Sequence, residues 1–510
     1  MRPDETAPGL RADVAVIGAG PAGLAAAAAA ARLSSNVVLV DAGARVGGQY
    51  WRHRAEDTAP QAPAPRWHHG WDTFTGLRRD VENAAADGRL TRIAATHVWA
   101  LDAVEGGGFT LHTSPAQESW SVEAAPAEIA ADTVVLAPGA YDRQLPVPGW
   151  TLPGVMAAGG IQAFVKVQGV APGRRVLLAG TGPFLLAAAA TVLQAGAEVV
   201  AVCESTDLTG WLPRGAAAGL VPSKGMEGAE YAALLVRHRV PYLLRRVVTG
   251  IRGEDRVRGV VTARAGRDGA PVAGSERVFD DVDVVGLGWG FVPQAELLLQ
   301  SGAQTRLDAD RSLVGVVSDD QASTVPGLYL AGEITGVTGA VGAVAEGRIA
   351  GAAAAAHATG RPRPAHRSAA ATRARHRLFG GAMAHAHPAP QGWQAWVEED
   401  TTVCRCEEVP YGEVVAARDE LDLPDPRSLK GQTRAGMGLC QGRICGFAMT
   451  CIAAAGDRPP SPAEAARQMA HRPLGVPITL GALLGDAPAP ADRTGEHVVA
   501  EPLPRSDDRT

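Results

Sequence analysis

The sequence predicts an α/β protein with two parallel sheets covered by helices, followed by a small, mainly helical C-terminal domain. Two stretches of the chain repeat the order strand, glycine-rich turn, helix, strand, acidic residue, which is the order of a parallel βαβ unit. Five of the six cysteines lie in the last quarter of the 510 residues, so that part is expected to be a separate module. At roughly 100 to 200 residues per domain, this length allows about three or four domains.

The composition is typical of a folded globular chain, with 46% hydrophobic and 20% charged residues. The net charge is −6, only three residues are lysine, and the arginines are scattered. Nucleic acids and anionic membranes bind clustered positive charge, so neither partner is expected. The apolar stretch 24–33 is too short to span a bilayer, and the polar, acidic start lacks a secretory signal. These features favour a cytoplasmic protein without an integral membrane segment.

The first βαβ unit begins with an apolar strand over residues 12–17, and the turn GAGPAG follows it directly. A helix is predicted over 24–33 and a second strand over 36–40, closed by Asp41. Glycines allow a tight bend and close backbone approach to a pyrophosphate, which the helix N-terminus stabilises, while the acid is placed to bind a ribose. The unit predicts a Rossmann-like dinucleotide site formed by Gly18, Gly20, Pro21, Ala22, Gly23 and Asp41.

The second unit repeats this order with one departure. A strand is predicted over 175–179, a helix over 186–195 and a strand over 198–203, with the turn GTGPFL after the first strand. Leu185 stands where the third glycine belongs, so it is expected to push the helix away from the strand. Two alternatives stay open: Gly180, Gly182 and Glu204 bind NAD, which a carboxylate favours over NADP, or the fold is retained without a bound nicotinamide nucleotide.

Two further strands end in glycine turns. Residues 133–136 lead into Gly139, and residues 327–331 lead into Gly332 and Glu333, with a helix predicted over 343–356. A carboxylate at such a strand end, followed by a helix N-terminus, can hold a ribityl chain and direct a positive dipole at a flavin ring.

Changes in composition predict the domain boundaries. A Pro-rich stretch over 55–70 predicts a surface loop, residues 360–389 are rich in Ala, Arg, His and Pro, and the end of the chain is polar and Pro-rich. The predicted parts are an N-terminal tail (1–11), a first nucleotide domain (12–157 and 280–358), a second (158–279), a linker (359–395), a cysteine domain with a C-terminal extension (396–484) and a disordered tail (485–510).

Over residues 12–358 the pattern resembles the glutathione reductase-like flavoproteins with two dinucleotide-binding domains. The resemblance implies FAD on the first unit, with Asp41 at the adenosine ribose and Glu333, where Asp is commoner, at the ribityl chain. It also places Gly48 and Gln49 in a loop beneath the flavin. The disulfide reductases of that superfamily carry paired cysteines beside the flavin. No cysteine precedes Cys203 here, so dithiol chemistry is excluded.

The late cysteines form two close pairs, CRC at residues 404–406 and CQGRIC at residues 440–445. Thiolates select zinc or iron–sulfur clusters, and one intervening residue makes it awkward for both sulfurs to reach a single zinc ion. The arrangement resembles the bacterioferritin-associated ferredoxin type of 2Fe-2S domain, whose second pair is usually CxxC. The predicted cluster ligands are Cys404, Cys406, Cys440 and Cys445. Zinc and unliganded core thiols remain alternatives, and Cys451 is expected to be a packed core thiol.

Three longer stretches narrow the resemblance: residues 141–156, the CRCEE start at 404–408, and TRAGMG at 433–438. They are similar to the large FAD subunits of opine oxidases, hydroxyproline dehydrogenases and hydrogen cyanide synthase, related also to the alpha subunit of heterotetrameric sarcosine oxidase. The similarity extends over residues 12–484. It implies a second flavin subunit that oxidises the amino-acid substrate, and a further candidate partner is a small 2Fe-2S subunit.

The predicted function is an FAD- and 2Fe-2S-containing oxidoreductase subunit that relays electrons from oxidation of an amino or imino acid of opine, hydroxyproline, glycine or sarcosine type. Two alternatives stay open: a self-contained NAD(P)H-dependent FAD and iron–sulfur oxidoreductase, and an iron–sulfur binding or sensing module on a flavoprotein scaffold.

No residue is assigned as catalytic acid or base. The lone histidines His53, His68 and His69 are expected to face solvent, and Tyr50 and Trp51 to pack near the flavin ring. Two arginines, Arg405 and Arg443, adjoin predicted cluster ligands and either raise the cluster potential or lie solvated on the surface.

Overall fold

The computed structural model describes residues 10–54, 68–116 and 126–484. The predicted disordered tail, nearly all of the predicted N-terminal tail and most of the predicted Pro-rich loop lie outside these residues. Residues up to Pro477 belong to one compact unit, and a second unit begins at Ile478.

The strands, in chain order, are β1 (Leu10–Ile17), β2 (Val37–Val40), β3 (Leu90–Ile93), β4 (Thr96–Ala103), β5 (Phe109–Pro115), β6 (Glu128–Leu136), β7 (Ala140–Asp142), β8 (Val155–Ala157), β9 (Arg175–Gly180), β10 (Glu198–Glu204), β11 (Tyr242–Leu244), β12 (Arg246–Arg252), β13 (Gly259–Arg264), β14 (Arg277–Asp280), β15 (Val284–Gly288), β16 (Phe291–Pro293), β17 (Thr305–Leu307), β18 (Leu313–Gly315), β19 (Leu328–Leu330), β20 (Thr402–Cys404) and β21 (Val409–Pro410).

The helices of the first unit are α1 (Pro21–Ala30), α2 (Trp71–Ala86), α3 (Ala158–Gln168), α4 (Phe184–Gln194), α5 (Gly215–Gly219), α6 (Pro222–Arg237), α7 (Glu296–Gln300), α8 (Gly339–Thr359), α9 (Arg367–Ala386), α10 (Tyr411–Glu420), α11 (Pro426–Thr433), α12 (Gly446–Ala454) and α13 (Pro462–Ala470). Among the described residues, 3-10 helices span Leu208–Arg214, Glu333–Thr335 and Gln391–Trp396. The described part of the second unit contains α14 (Leu480–Leu484). Across the described ranges, no helix combines the length and apolar character needed to cross a membrane.

The first sheet has the strand order β3-β2-β1-β6-β5-β4, and β19 also pairs with β6. Strands β3, β2, β1, β6 and β19 are parallel to one another. Strand β5 pairs antiparallel with β6 on one side and with β4 on the other. Helices α1 and α8 pack closely because glycines on α8 face α1: a Cβ at Gly347 would overlap the Ala22 carbonyl oxygen, and one at Gly351 that of Ala26. This is the doubly wound, Rossmann-like arrangement that the first βαβ unit predicts.

The second sheet is fully parallel, with the order β11-β10-β9-β15-β8, and a three-stranded antiparallel sheet, β12-β13-β14, is inserted between β11 and β15. This corrects the predicted boundaries, since β8 and β15 belong to the second sheet although the predicted boundaries place residues 155–157 and 284–288 in the first domain. Each is a short apolar strand, and sequence periodicity does not show which sheet such a strand joins.

The predicted linker over 359–395 contains the 20-residue helix α9. Its small residues pack on α8, where Ala369 lies with Ala345 and Ile349 in one apolar cluster. The stretch therefore packs on the first domain as a regular helix. Its Ala content favours that helix, whereas the flanking Pro and His residues indicated a linker.

The cysteine segment is mainly helical, with α10 to α13 and the short hairpin β20-β21. Its apolar side chains share one core with the second sheet, so that Cys404 and Met449 belong to the same cluster of buried residues as Leu177, Trp289 and Trp396. The segment is consequently packed on the second nucleotide domain by a continuous core.

Candidate functional site

The first glycine turn leaves its backbone exposed to a ligand. Gly18 has φ +99°, and a Cβ there would overlap the Ala137 carbonyl oxygen, so only glycine fits. A Cβ at Gly23 would overlap the Gly18 carbonyl oxygen, which explains the third glycine of the motif. Gly20 caps α1, and the atom nearest to a Cβ built on it is the Gly48 Cα at 3.9 Å. Two glycines therefore face each other across the helix N-terminus, where a pyrophosphate can approach.

The α1 helix starts at Pro21, three residues before the predicted start, because proline is well suited to the first helical position. Pro21 and Ala22 thus contribute their backbone to the N-terminal turn. Asp41 follows β2, and its carboxylate accepts hydrogen bonds from Ala19 N at 2.5 Å and Gly43 N at 2.6 Å. Burial raises the pKa of Asp41, and the two backbone hydrogen bonds oppose that effect.

The turn after β19 holds a carboxylate without a protein partner. Gly332 has φ +83°, and Glu333 Oε2 is buried with no hydrogen-bond partner among the described residues. Burial, reinforced by the charges of Glu346 and Asp310, raises the pKa of Glu333 to about 8. A buried, unsatisfied carboxylate implies a missing polar ligand, and the hydroxyl groups of a ribityl chain would satisfy it.

A second buried acid supports this turn, and sequence reasoning missed it. Glu346 on α8 is fully buried and accepts hydrogen bonds from Gly332 N at 2.9 Å and Thr335 Oγ1 at 2.8 Å. Arg377 on α9 donates from Nε to the other Glu346 oxygen at 2.9 Å. An isolated acid in a helix made of Ala, Gly and Val was a usable signal for Glu346. Arg377 gave no comparable signal, because its helix lies in the predicted linker.

The loop beneath the proposed flavin position is held by buried groups. Gly48 has φ +58°, Gly139 has φ +83° with no described atom within 4 Å of a Cβ built there, and Gln49 is exposed. Lys166 on α3 donates to the Tyr50 carbonyl oxygen at 2.9 Å and to Gln162 Oε1 at 3.1 Å. Burial lowers the pKa of Lys166 to about 8. These contacts fix the loop, and together with the orphaned Glu333 oxygen they fit an FAD molecule.

Two of the three histidines do not face solvent. His53 and His68 are buried, with ring nitrogens on the carbonyl oxygens of Trp51 at 2.8 Å and Arg52 at 2.6 Å. His69 is partly exposed and its ring contacts Tyr231. The expectation of solvent-facing residues was therefore wrong for His53 and His68, whose rings bind backbone carbonyls and pack among aromatic side chains.

The second glycine turn is built differently. Leu185 is fully buried, and its Cδ2 lies 3.5 Å from a Cβ built on Gly288 of β15. Leu185 thus packs beside β15, where even a Cβ on Gly288 would remain at an ordinary van der Waals distance from it. Glu204 is also fully buried, and Gly182 N donates to its Oε2 at 2.8 Å. The predicted NAD-binding carboxylate therefore faces this chain's own groups, and it does not fit a ribose.

The four predicted cluster ligands come together in two pairs. The thiol of Cys445 is hydrogen-bonded to Cys404, which lowers the pKa of Cys404 to about 5, and Cys406 is hydrogen-bonded to Cys440. Gly436 N donates to Cys404 Sγ at 3.3 Å. Cys404 and Cys445 are buried, whereas Cys406 is exposed. Within the described part of the chain, no three His, Cys, Asp or Glu side chains are grouped so that they could hold one metal ion.

The two other cysteines lie apart from these pairs in the apolar core. Cys203 is fully buried in β10, and burial raises its pKa to about 12. Cys451 is on α12 and packs against the same core. Burial likewise raises the pKa of Cys451.

The arginines beside the predicted ligands have different surroundings. Arg443 is nearly buried, donates to Tyr141 OH at 2.9 Å and forms an ion pair with Glu296 at 3.0 Å. The solvated-surface alternative therefore does not hold for Arg443. Arg405 is exposed, with its guanidinium 5.3 Å from the Trp150 ring centre.

Comparisons with known proteins agree with the first site. The family model described as pyridine nucleotide-disulphide oxidoreductase matches residues 12–360. An opine oxidase subunit of Rhizobium meliloti is 31% identical over 95% of this chain and 89% of the relative. Hydrogen cyanide synthase subunit HcnB of Pseudomonas protegens is 28% identical over 84% of this chain and 89% of the relative.

A solved structure, that of L-proline dehydrogenase from P. horikoshii, has the same fold, with a TM-score of 0.61 and 18% identity over 94% of this chain and 81% of the other. The resemblance to the opine oxidase and hydrogen cyanide synthase subunits is thus confirmed. The chain belongs to the pyridine nucleotide-disulphide oxidoreductase family, as a relative of opine oxidase subunits, and is an FAD-dependent oxidoreductase.

Proposed function

We propose that this chain is the FAD- and 2Fe-2S-containing subunit of an amine-oxidising complex. In this proposal a partner flavin subunit oxidises an amino or imino acid of opine, hydroxyproline, glycine or sarcosine type, and this chain relays the electrons. The two relatives are themselves named as subunits, one of opine oxidase and one of hydrogen cyanide synthase, which supports a partner. A small 2Fe-2S subunit is a further candidate partner.

The observation that carries the proposal is the direct connection between the thiol pairs and the FAD side of the chain. Arg443 lies inside the CQGRIC stretch, and its Nη1 donates to the Cys440 carbonyl oxygen at 3.2 Å. Its Nε donates to the hydroxyl of Tyr141, two residues after Gly139. One side chain therefore links a proposed cluster ligand to the strand that continues from a proposed flavin-binding turn.

Glu296 strengthens this connection from the other side. It lies on α7 and pairs with Arg443 at 3.0 Å and with Arg472 at 2.8 Å, and all three side chains are nearly buried. Gln294, two residues earlier, donates its backbone N–H to the Gly139 carbonyl oxygen at 3.0 Å. Because a buried carboxylate between two guanidinium groups is costly to disrupt, the thiol loop is held at a fixed position against the flavin-binding turns.

FAD accepts electrons in pairs and can release them singly, whereas a 2Fe-2S cluster takes one at a time. The chain would supply Asp41 for the ribose and Glu333 for the ribityl chain. The thiols of Cys404, Cys406, Cys440 and Cys445 would hold the cluster. Thiols that hold an iron–sulfur cluster persist in a reducing compartment, so we assign the chain to the cytoplasm.

An anaerobic titration of the FAD-loaded chain tests the relay. Candidate amines, namely an opine, hydroxyproline, glycine and sarcosine, are added with and without a candidate partner flavin subunit of the amino-acid oxidase type. Bleaching of the flavin absorbance is followed. We expect bleaching by one of these amines only when the partner is present. Rapid, complete bleaching by NADH alone would instead identify a self-contained NADH oxidoreductase.

A matched pair of variants tests the cluster. Cys406→Ser removes an exposed proposed ligand and is expected to lose iron and visible absorption, whereas Cys451→Ser changes a packed thiol and is expected to keep both. Full iron content and an unchanged spectrum in Cys406→Ser would refute the ligand assignment.

A further inference from the structure

The second glycine turn faces a segment of its own chain. The residues that follow α9 lie against the turn, and a Cβ built on Gly182 would be 3.8 Å from the Cβ of His387. Thr181 Oγ1 lies 3.4 Å from the Pro388 carbonyl oxygen. At the equivalent place in the first turn, Gly20 faces Gly48, which has no side chain. An imidazole thus lies beside the second turn, whereas only backbone lies at that place beside the first.

The His387 ring is fixed by hydrogen bonds on both nitrogens. Trp211 Nε1, which can only donate, lies 2.9 Å from His387 Nε2. Nε2 is therefore the acceptor, and the proton is on Nδ1, which lies 3.0 Å from Thr206 Oγ1. The Thr206 hydroxyl in turn donates to Glu204 Oε1 at 2.8 Å. Donors and acceptors alternate without a conflict from Trp211 to the carboxylate.

Glu204 has no remaining capacity for a ribose. Its two oxygens lie within 3.4 Å of five donors, and an ionised carboxylate offers about four acceptor positions. These donors are Gly182 N (2.8 Å), Thr206 N (3.1 Å), Thr206 Oγ1 (2.8 Å), Thr181 Oγ1 (3.2 Å) and Tyr242 OH (3.4 Å). Asp41 at the first turn is only partly buried and accepts from two backbone N–H groups, which leaves lone pairs free.

We propose that the segment His387–Pro388 closes the second nucleotide site, so that this chain exchanges electrons with no nicotinamide nucleotide. The segment lies against Gly182 in the turn that precedes the helix, and it completes the network that occupies the ribose-binding carboxylate. This inference does not rest on the proposed relay or on a bound cluster, because it concerns only the second turn and the end of α9.

Equilibrium binding tests the closure. The FAD-loaded full chain is titrated with NADH and with NAD⁺ up to about 1 mM, and binding is followed by calorimetry and by NADH fluorescence. A dissociation constant of about 1 mM corresponds to a binding free energy of roughly −4 kcal/mol. We expect no saturable binding by the wild type. The double variant His387→Gly/Pro388→Gly frees the segment. Its dissociation constant for NADH is expected to lie at least about ten-fold below the upper limit of the titration.

His385→Ala is the matched control, since His385 lies two residues earlier, in the last turn of α9, and is exposed. It is expected to behave like the wild type. A milder variant, Trp211→Phe, provides a second test if the double variant does not fold. It keeps an aromatic ring but removes the hydrogen bond to His387, so some gain in NADH binding is expected.

Binding of NADH to the wild type overturns the closure. A folded, FAD-containing double variant that still binds no NADH overturns the assignment of His387–Pro388 as the closing element. Binding without reduction of the flavin would contradict only this inference, whereas rapid reduction would contradict the proposed relay as well.

Discussion

The two glycine turns of this chain start from nearly the same motif and end as different structures. In GAGPAG, a side chain at any of the three glycines would approach another backbone segment, and Gly48, which faces the turn, is also glycine. In GTGPFL, the third glycine is a buried leucine, and the facing segment carries a histidine. The nucleotide motif therefore specifies the turn, whereas entry of a nucleotide at the second turn would depend on the segment packed over it.

The largest expected effect is on the first turn. In Gly23→Ala the added methyl group overlaps the Gly18 carbonyl oxygen, and this backbone cannot move without displacing β1 from α1. We expect a loss of more than about 3 kcal/mol of stability and loss of bound FAD. Flavin absorbance and thermal unfolding of the purified chain measure both. A variant that retained FAD would show that the first turn is as tolerant as the second.

The second prediction concerns Glu333 and pH. Its folded pKa of about 8 lies above the ordinary value of 4.5, so the folded chain favours the neutral acid. In FAD-free protein this contribution to stability is complete below pH 4.5 and is lost as the pH rises through 8, by several kcal/mol at most. Chemical unfolding between pH 5 and 9 should show this fall in the wild type and a flatter profile in Glu333→Gln. Glu82→Gln, at an exposed acid, should retain the wild-type profile.

The third prediction tests the leucine of the second turn. Leu185→Ala removes a fully buried side chain, so we expect a loss of about 3 kcal/mol from the cavity left beside Gly288. FAD content should not change, because the first turn is untouched. Leu212→Ala, at an 80% exposed position, serves as the control and should alter the unfolding free energy very little. Loss of FAD from Leu185→Ala would show that packing at the second turn affects FAD binding at the first.

The smallest of these effects is expected at Arg377, where α9 reaches the first site. Arg377→Gln leaves the buried Glu346 carboxylate without its ion pair, at a cost of about 2 kcal/mol, because one third of the Arg377 side chain is exposed. FAD affinity should weaken, and Arg377→Lys should restore part of it. Arg375→Gln, on the exposed face of α9, should retain wild-type affinity. Equal affinities for FAD in Arg377→Gln and Arg375→Gln would contradict a role for Arg377 at the turn that contains Glu333.

Much of this architecture could be predicted from local pattern. The strands and helices of both βαβ units follow from apolar runs, glycine turns and the acids that close them, because these signals lie close together in sequence. The thiols of the two cysteine motifs lie near each other, but they pair across the motifs, Cys404 with Cys445 and Cys406 with Cys440. Position in a sheet was harder to predict, as β8 and β15 show, since a strand of three to five apolar residues carries no information about its neighbours.

The rest depended on contacts between residues that are distant in sequence. Glu346 and Arg377 act on a turn more than ten residues away from either, and His387 meets Glu204 across 183 positions. A composition rich in Ala, Arg and His gave no sign that α9 would reach both nucleotide sites. Only the packing of α9 on α8 brings these side chains to their partners.

The core shared by the cysteine segment and the second sheet has a consequence for assembly. Cys404 and Cys445 are held among Trp289, Trp396 and Met449, so the folded chain already orders two of the proposed ligands. Little conformational entropy would then be lost on binding of the proposed cluster, unlike in small metal domains that fold only around their ion. We expect the iron-free chain to retain its helical content, so that cluster insertion follows folding as a separate, later step.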